Sequence, residues 1–259
     1  MTALITGATA GIGNAFARAL AARGENLVLV ARDEQRLESI AAQLRSAHGI
    51  EVEVLSADLS ERDQVQRVAD RLSAEPAVDT LVNNAGFGLA QSFVDGDLAR
   101  EEQLLHVLVD AVLVLSHAAV SAMSARGRGA VINVSSVAGF MPTGTYSAAK
   151  AWVTTFTLGL NADLAGTGVT AQVLCPGFVR TEFHARLGAK RPVAPRWAFL
   201  DADRLVADCL DDLAAGRNLS IPSRRYKTAT TLLRHMPLRA NQLVGRSSRR
   251  RRLSDVRSR

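Results

Sequence analysis

Cysteine is scarce in this chain of 259 residues, and its scarcity excludes two classes of protein. Only Cys175 and Cys209 are present, with no CxxC pair and no cluster of histidine and cysteine at metal-ligand spacing. A disulfide-stabilised scaffold and a structural zinc site are therefore excluded. We expect two reduced, buried thiols and no metal.

Long apolar runs are missing as well. No stretch reaches about eighteen uninterrupted apolar residues, and the amino terminus enters a strand-like run at once, without a basic segment followed by a separate apolar stretch. These features predict a cytoplasmic protein. With 47% hydrophobic residues, the chain can bury the core of one α/β domain.

Acidic residues are nearly absent from the carboxyl-terminal part. Residues 217–259 hold 13 basic side chains and one acidic one, whereas residues 1–216 hold 18 basic and 24 acidic ones. The net charge of +6 is therefore a property of the tail. We predict a domain at 1–222 and a basic, partly amphipathic and partly disordered extension at 223–259.

Short β-branched or leucine-rich runs alternate with segments of helical apolar spacing. The predicted strands are 3–6, 27–30, 52–55, 80–82, 130–134, 169–174 and 219–221, and the predicted helices are 12–22, 34–47, 61–72, 98–123, 145–164 and 203–214. This alternation predicts an α/β fold with a doubly wound parallel sheet flanked by helices. The first strand, turn and helix would then be the place for a dinucleotide.

Three glycines follow the first predicted strand, at positions 7, 11 and 13. Glycine lets the backbone approach a pyrophosphate, and the positive end of a helix opening near Ile12 stabilises the negative charge. A tight turn without a ligand is the alternative. The place of the glycines directly after the first strand disfavours that alternative.

Tyr146 and Lys150 lie four residues apart in a predicted helix, so the ammonium can sit one turn from the phenol. A nearby cation favours the phenolate, which lets a tyrosine exchange a proton near neutral pH. This is the chemistry that carbonyl reduction needs. Alone the spacing is a weak signal, because tyrosine and lysine fall four apart on many solvated helices.

The ordered set of motifs resembles the short-chain dehydrogenase/reductase family. Its pattern runs from TGxxxGIG at 6–13 through NNAG at 83–86 and a serine to YxxxK at 146–150 and PG at 176–177. The resemblance covers roughly residues 1–222 and implies one Rossmann-type domain with a mostly seven-stranded parallel sheet. It also implies an NADP(H)-dependent oxidoreductase that acts on the CH–OH or C=O group of a small molecule.

The resemblance assigns the site residues position by position. The catalytic residues are Ser136, Tyr146 and Lys150. The cofactor-binding residues are Gly7, Thr9, Gly11, Ile12, Gly13, Arg32, Asp58, Asn84, Ala85, Gly86, Tyr146, Lys150, Pro176, Gly177, Val179 and Thr181. In the implied mechanism Ser136 and Tyr146 bond the carbonyl oxygen, and Tyr146 gives the proton. Lys150 lowers the pKa of the tyrosine and bonds the nicotinamide ribose.

Cofactor choice is read at the end of the second predicted strand. NAD-preferring members of the family usually have an acidic residue where Ala31 stands, whereas Arg32 can pair with an adenosine 2′-phosphate. This favours NADP. In the alternative, Arg32 is a solvated surface arginine and Asp33 binds the ribose.

The serine and the loop after it depart from the family pattern. Ser136 and Tyr146 are ten residues apart, fewer than usual in the family, so the loop 140–144 must be tight. Ser135 stays open as an alternative to Ser136. Whichever serine is not catalytic is expected to cap a turn at the strand end.

Leu108 stands where the family usually has an asparagine that helps to hold a water near the lysine. Asp110 is about 200° further round the helix and cannot replace that asparagine. With the short loop, this departure leaves a non-catalytic NADP-binding scaffold as the alternative to a reductase.

Residues 182–200 are rich in arginine, proline and large apolar side chains, including Phe183, Leu187, Trp197 and Phe199. This composition favours a lid over an apolar pocket, so we expect a lipophilic ketone or aldehyde as substrate. A surface loop packed for stability is the alternative.

The basic extension and two long helices suggest partners. Leu232, Leu233 and Met236 beside cations, followed by arginines at 249–252, favour peripheral contact with the inner face of a membrane, although a solvated tail is the default beyond residue 245. Nucleic acid is disfavoured because aromatic residues do not interleave the arginines.

Relatives dimerise through the helices that correspond to 98–123 and 145–164, so a homodimer or homotetramer is expected. Val112, Trp152 and Phe156 are candidate interface residues, and each of them fits the core equally well.

Overall fold

The computed structural model describes residues 1–181 and 195–235 of the chain. Its strands are β1 (Thr2–Thr6), β2 (Asn26–Ala31), β3 (Val52–Ser56), β4 (Thr80–Asn83), β5 (Gly129–Val134), β6 (Val169–Leu174) and β7 (Leu219–Ser220). They form one parallel sheet in the order β3-β2-β1-β4-β5-β6-β7. The predicted doubly wound sheet of seven strands is confirmed.

Eight α-helices are found in the described part of the chain. They are α1 (Gly11–Ala21), α2 (Glu34–His48), α3 (Arg62–Ser73), α4 (Leu98–Leu105), α5 (Ala111–Arg126), α6 (Thr145–Asp163), α7 (Ala202–Ala214) and α8 (Arg224–His235). Helices α1, α2 and α7 cover one face of the sheet, and α3 and α5 cover the other. The strands are apolar because both of their faces are buried. Cys175 and Cys209 are buried free thiols, as expected.

The ends of α2 are set by local residues. The Asp33 carboxylate accepts a hydrogen bond of 3.0 Å from the amide of Arg36 and caps the amino end. Gly49 follows the helix with a φ of +65°, the left-handed conformation that ends many helices. The cap leaves Arg32 between β2 and α2, at the carboxyl edge of the sheet.

Helices α4 and α5 are joined by a π-helical turn, His106–Asp110, where the sequence predicts one uninterrupted helix. The whole stretch Leu98–Arg126 is apolar and long enough to cross a membrane by length and composition. However, its buried side packs against α3 and the sheet. We interpret it as a core helix.

A closed network of polar side chains lies in the centre of the domain. The Asn83 amide donates to Asn133 Oδ1 at 2.9 Å and to Ser116 Oγ at 3.2 Å, and the Asn133 amide donates to Thr157 Oγ1 at 3.0 Å. All four side chains are almost fully buried. Because buried polar groups are costly unless they are paired, this network fixes the mutual register of β4, β5, α5 and α6.

Candidate active site

Two positions of the glycine turn after β1 favour glycine for different reasons. Gly7 has a φ of +68°, a backbone conformation that residues with a side chain rarely adopt. A Cβ atom on Gly13 would lie 2.3 Å from the carbonyl oxygen of Gly7 and 2.5 Å from Asn84 Nδ2. Thr9 lies in the turn itself, and Ile12 lies in the first turn of α1. The turn thus gives a pyrophosphate a bare backbone and the amino end of a helix.

Asn84 and Ala85 of the NNAG motif are bonded to the end of β1. Asn84 Nδ2 donates to the carbonyl oxygens of Thr6 (2.9 Å) and Gly7 (3.3 Å). The amides of Asn84 and Ala85 both donate to Thr6 Oγ1, at 2.9 and 3.0 Å. Thr6 therefore joins the glycine turn to the loop after β4. Sequence reasoning missed this role of Thr6, although its place directly before Gly7 is a usable signal.

Lys150 is buried on α6 and lies close to Tyr146. Its Nζ donates to the carbonyl oxygen of Val134 at 2.7 Å and lies 5.9 Å from the centroid of the Tyr146 ring. Burial lowers the pKa of Lys150 to about 8, and Cys175 nearby opposes the shift. The ammonium form therefore predominates at neutral pH, so a cation stands one helical turn from the phenol.

The two serines at the end of β5 have different environments. Ser135 is buried, and its hydroxyl is bonded to the carbonyl oxygen of Lys150 at 2.6 Å and to Thr154 Oγ1 at 2.8 Å. Ser136 is only half-buried and accepts a hydrogen bond of 3.1 Å from the amide of Ala138. Ser136 thus caps the turn after β5, contrary to the expectation that the non-catalytic serine would cap it. The cap leaves the hydroxyl proton of Ser136 able to donate, which favours Ser136 over Ser135 as the residue that meets a substrate oxygen.

Leu108 lies beside the lysine in the π-helical turn. It is fully buried, and a Cβ atom on Gly86 would lie 2.7 Å from Leu108 Cδ2 and 3.9 Å from Lys150 Nζ. The Asp110 carboxylate instead bonds His106 Nδ1 at 2.7 Å on the exposed side of the helix. The expectation that Asp110 does not replace the missing asparagine is confirmed, and Lys150 has an apolar neighbour on this side.

The loop after β6 returns to the glycine turn. A Cβ atom on Gly11 would lie 2.8 Å from Thr181 Cγ2, so the threonine touches the turn. The carbonyl oxygen of Pro176 accepts a hydrogen bond of 3.0 Å from the amide of Val137, directly after Ser136. Val179, a residue of this loop, is buried in the core. The predicted residues of β1, β4, β5 and β6 therefore meet at one edge of the sheet.

The predicted lid lies only partly within the described residues. Phe183 and Leu187 fall outside them. Trp197 is 69% exposed, and the ring centroids of Phe199 and Phe178 are 5.9 Å apart. The described part of the lid is thus attached to the loop after β6.

Arg32 and Asp58 form an ion pair of 3.7 Å at the ends of β2 and β3. Burial alone would raise the pKa of Asp58, but hydrogen bonds from the amide and hydroxyl of Ser60, together with Arg32, hold it below its ordinary value. Arg32 is 67% exposed, whereas Asp33 caps α2. The arginine is accessible to an anion at this end of the site.

The site lies where the order of the strands reverses, between β1 and β4. Ligands of open α/β sheets bind in the crevice at the carboxyl ends of the strands at such a point. The glycine turn fits a dinucleotide phosphate, and the pair of Tyr146 and Lys150 lies along the same edge. The arrangement can therefore hold a dinucleotide and move a proton beside it.

Comparison with known proteins agrees with this geometry. The sequence model of the family described as short chain dehydrogenase matches residues 1–192. Sulfoacetaldehyde reductase 2 of Chromohalobacter salexigens is 40% identical over 186 residues, which are 70% of this chain and 73% of that protein.

Two solved structures contain different nicotinamide cofactors. A short-chain dehydrogenase from Sphingobium yanoikuyae in complex with NADPH has a TM-score of 0.82 and 34% identity, over 98% of this chain and 95% of the other. A short chain dehydrogenase/reductase from Burkholderia phymatum in complex with NAD has a TM-score of 0.79 and 29% identity, over 89% and 92%.

The contact of Gly13 can be tested with an added methyl group. We expect Gly13→Ala to weaken dinucleotide binding by at least about tenfold, because the Cβ atom would push apart the backbone of Gly7 and the Asn84 amide. Gly159→Ala is the matched control, since Gly159 lies within α6 with no atom within 4 Å of an added Cβ. Fluorescence titration with NADPH measures both variants, and equal affinities would contradict the assignment of the turn.

Proposed function

This chain belongs to the short-chain dehydrogenase family and is an oxidoreductase that acts on CH–OH and C=O groups, and we propose that it is an NADPH-dependent reductase of lipophilic ketones or aldehydes. The observation that carries the proposal is the buried Lys150 ammonium one helical turn from Tyr146, beside a glycine turn that fits a dinucleotide. The same groups serve the reverse oxidation.

The side chains divide the chemistry at the carbonyl oxygen. When bound, the nicotinamide cofactor supplies the hydride. Ser136 donates a hydrogen bond to the carbonyl oxygen and orients it, and Tyr146 transfers its phenolic proton to the same oxygen. The Lys150 ammonium, held by the Val134 carbonyl, stabilises the phenolate that this transfer leaves. Lys150 would also bind the nicotinamide ribose.

The preference for NADPH rests on the end of β2. Ala31 has no carboxylate for a ribose, and the carboxylate of Asp33 is occupied as the cap of α2. The Arg32 guanidinium is accessible and pairs with Asp58 at a distance typical of a weak surface ion pair. A 2′-phosphate would give the guanidinium a doubly charged partner and stronger hydrogen bonds.

The preference for a lipophilic substrate rests on the surroundings of the tyrosine. Tyr146 packs in an apolar cluster with Phe87 and Leu89, above the buried Leu104 and Leu108. An apolar wall beside a proton donor favours a substrate whose groups near the carbonyl are hydrocarbon. Because the relative named a sulfoacetaldehyde reductase points to a small polar aldehyde, the test includes both kinds of carbonyl.

Tyr146→Phe tests the chemistry. We expect the variant to lose at least about a hundredfold in kcat while its affinity for NADPH changes by less than about twofold, because only the proton donor is removed. NADPH oxidation is followed against bulky ketones, sterols, 3-ketoacyl thioesters and sulfoacetaldehyde.

Each outcome of this assay has a definite meaning. Turnover only with sulfoacetaldehyde would contradict the lipophilic substrate. Turnover that persists in Tyr146→Phe would contradict the role of the tyrosine. Wild-type protein that binds NADPH and reduces no carbonyl would support the non-catalytic scaffold, for which the relatives named as reductases and dehydrogenases give no support.

Arg32→Ala tests the cofactor preference. We expect the KM for NADPH to rise at least about tenfold and that for NADH to stay within about twofold, because a charge-assisted contact to the 2′-phosphate is lost. Arg23→Ala removes the same charge from an exposed position after α1, at the opposite edge of the sheet, and should change neither value. An equal effect on both cofactors would contradict the role of Arg32.

We also propose a homo-oligomer formed through the helices from α4 to α6. Leu105, Leu113 and Leu158 are between 37% and 45% exposed on these helices, and a second copy would cover them. Of the residues suggested by the sequence, Val112 is only 7% exposed and belongs to the core of its own chain. Trp152 and Phe156 are half-buried and stack with ring centroids 4.8 Å apart.

We also propose a cytoplasmic location with peripheral contact to the inner face of the membrane. This contact depends on the charge of the tail more than on α8. Tyr226, Thr230 and Leu233 form the side of α8 that turns towards the protein, and Leu232 is 64% exposed. The helix thus uses most of its apolar side for its own domain. Met236 and the arginines at 249–252 lie outside the described residues.

One pair of proteins tests both proposals. Full-length protein and a version ending at His235 should have the same oligomeric mass by light scattering, because the proposed interface lies in α4 to α6. Only full-length protein should sediment with anionic vesicles, and neutral vesicles serve as the control. Equal sedimentation of the two proteins would contradict tail-mediated binding, and a monomer would contradict the oligomer. The version ends at His235 because a shorter one would remove α8.

A further inference from the structure

Helix α8 packs against the loop that follows β6. The ring of Tyr226 lies flat on Gly177, where an added Cβ atom would come within 2.1 to 2.4 Å of three ring carbons. Val173, Cys175 and Ile221 form the buried base of this contact. The glycine of the PG motif is therefore required by a side chain of α8 and not only by a ligand.

The hydroxyl of Tyr226 joins two separate backbone segments. It accepts a hydrogen bond of 3.1 Å from the amide of Phe178 and donates one of 2.8 Å to the carbonyl oxygen of Ala198. Burial raises the pKa of Tyr226, so its proton stays in place to donate at neutral pH. One oxygen atom thus connects the loop after β6 with the segment that precedes α7.

These two segments also pair directly with each other. The amide of Leu200 donates to the carbonyl oxygen of Phe178 at 2.7 Å, and the amide of Arg180 donates to that of Leu200 at 3.1 Å. Arg225, beside Tyr226, bonds the carbonyl oxygen of Trp197 at 3.3 Å and lies over its ring. The first turn of α8 therefore binds two segments, 178–180 and 197–200, that are also hydrogen-bonded to each other.

The other end of α8 reaches the catalytic serine region. The Arg234 guanidinium lies 4.7 Å from the ring centroid of Phe140, at the end of the short 3-10 helix that Ser136 caps. Tyr226 and Arg234 are eight residues apart on α8, so about 12 Å of helix separates the two contacts. The helix thus touches both walls that converge on the site, the loop after β6 and the loop after β5.

We propose that Tyr226 is a positioning residue of the active site, which holds residues 176–181 in the conformation that presents Thr181 to the glycine turn. Thr181 touches Gly11 only three residues beyond the Phe178 amide that Tyr226 binds. Loss of the hydroxyl frees that amide and the Ala198 carbonyl, while the ring still covers Gly177. The role of Tyr226 in cofactor binding rests on the proposed function, whereas its hold on the loop 176–181 does not.

Tyr226→Phe tests the hold on the loop without any cofactor. We expect faster hydrogen exchange in peptides covering 177–180, because the Phe178 amide loses its acceptor. Thr230→Val is the matched control. Thr230 is 2% exposed on the same helix, and within residues 1–181 and 195–235 its hydroxyl bonds only carbonyl oxygens of α8 itself, those of Tyr226 and Lys227.

The same two variants test the effect on binding. We expect Tyr226→Phe to weaken NADPH binding, and to raise its KM, by about tenfold with kcat within about twofold, since two hydrogen bonds that orient the loop are lost. Thr230→Val should leave exchange at 177–180 and NADPH affinity unchanged, although it lowers the melting temperature.

The outcomes separate the possible explanations. Unchanged exchange at 177–180 in Tyr226→Phe would overturn the hold on the loop, and unchanged NADPH affinity would overturn its role in binding. Equal effects of Thr230→Val would overturn the specific role of Tyr226 and assign the effect to the stability of α8. Wild-type protein that binds neither NADPH nor NADH would overturn the proposed function, and hydrogen exchange would still decide the hold on the loop.

Discussion

The buried ammonium of Lys150 is the constraint on which the rest of the site depends. A lysine can stay charged in the interior only if an acceptor and the surrounding packing compensate for lost hydration, and here the acceptor is the Val134 carbonyl. Lys150, Thr154 and Thr157 occupy one side of α6, and they bond in turn to Val134, Ser135 and Asn133 at the end of β5. This row of polar contacts fixes α6 against β5, and so fixes where the phenol stands.

The sheet and the motif residues could be predicted because their signals are local. Buried strands show as apolar runs, and a glycine turn directly after a strand has a physical reason to be there. The choice between Ser135 and Ser136 could not be made in this way, because it depends on which hydroxyl is buried against α6. The π-helical turn was also missed, since its apolar residues fit an ordinary helix equally well.

The docking of α8 is the largest feature that the sequence did not predict. Its contacts join residues that are 48 positions apart, and its inward side is made of Tyr226, Thr230 and Leu233, which is too polar to show as an apolar stripe. The motif glycines mislead for a related reason. Gly177 accommodates the Tyr226 ring and Gly86 accommodates Leu108, so a glycine in a binding motif can serve packing between parts of the protein as well as contact with a ligand.

At the opposite end of the site, the energetics of Arg32 and Asp58 suit an exchange of partners. The Arg32 side chain is exposed, Asp58 is half-buried and the ions are 3.7 Å apart, so solvent screens their attraction, which contributes little to stability. Asp58 keeps two hydrogen bonds from Ser60 when the arginine leaves, and these help to keep its pKa low. Arg32 can therefore turn to a phosphate without leaving the Asp58 carboxylate unsatisfied. Breaking the ion pair to bind the proposed cofactor thus costs little free energy.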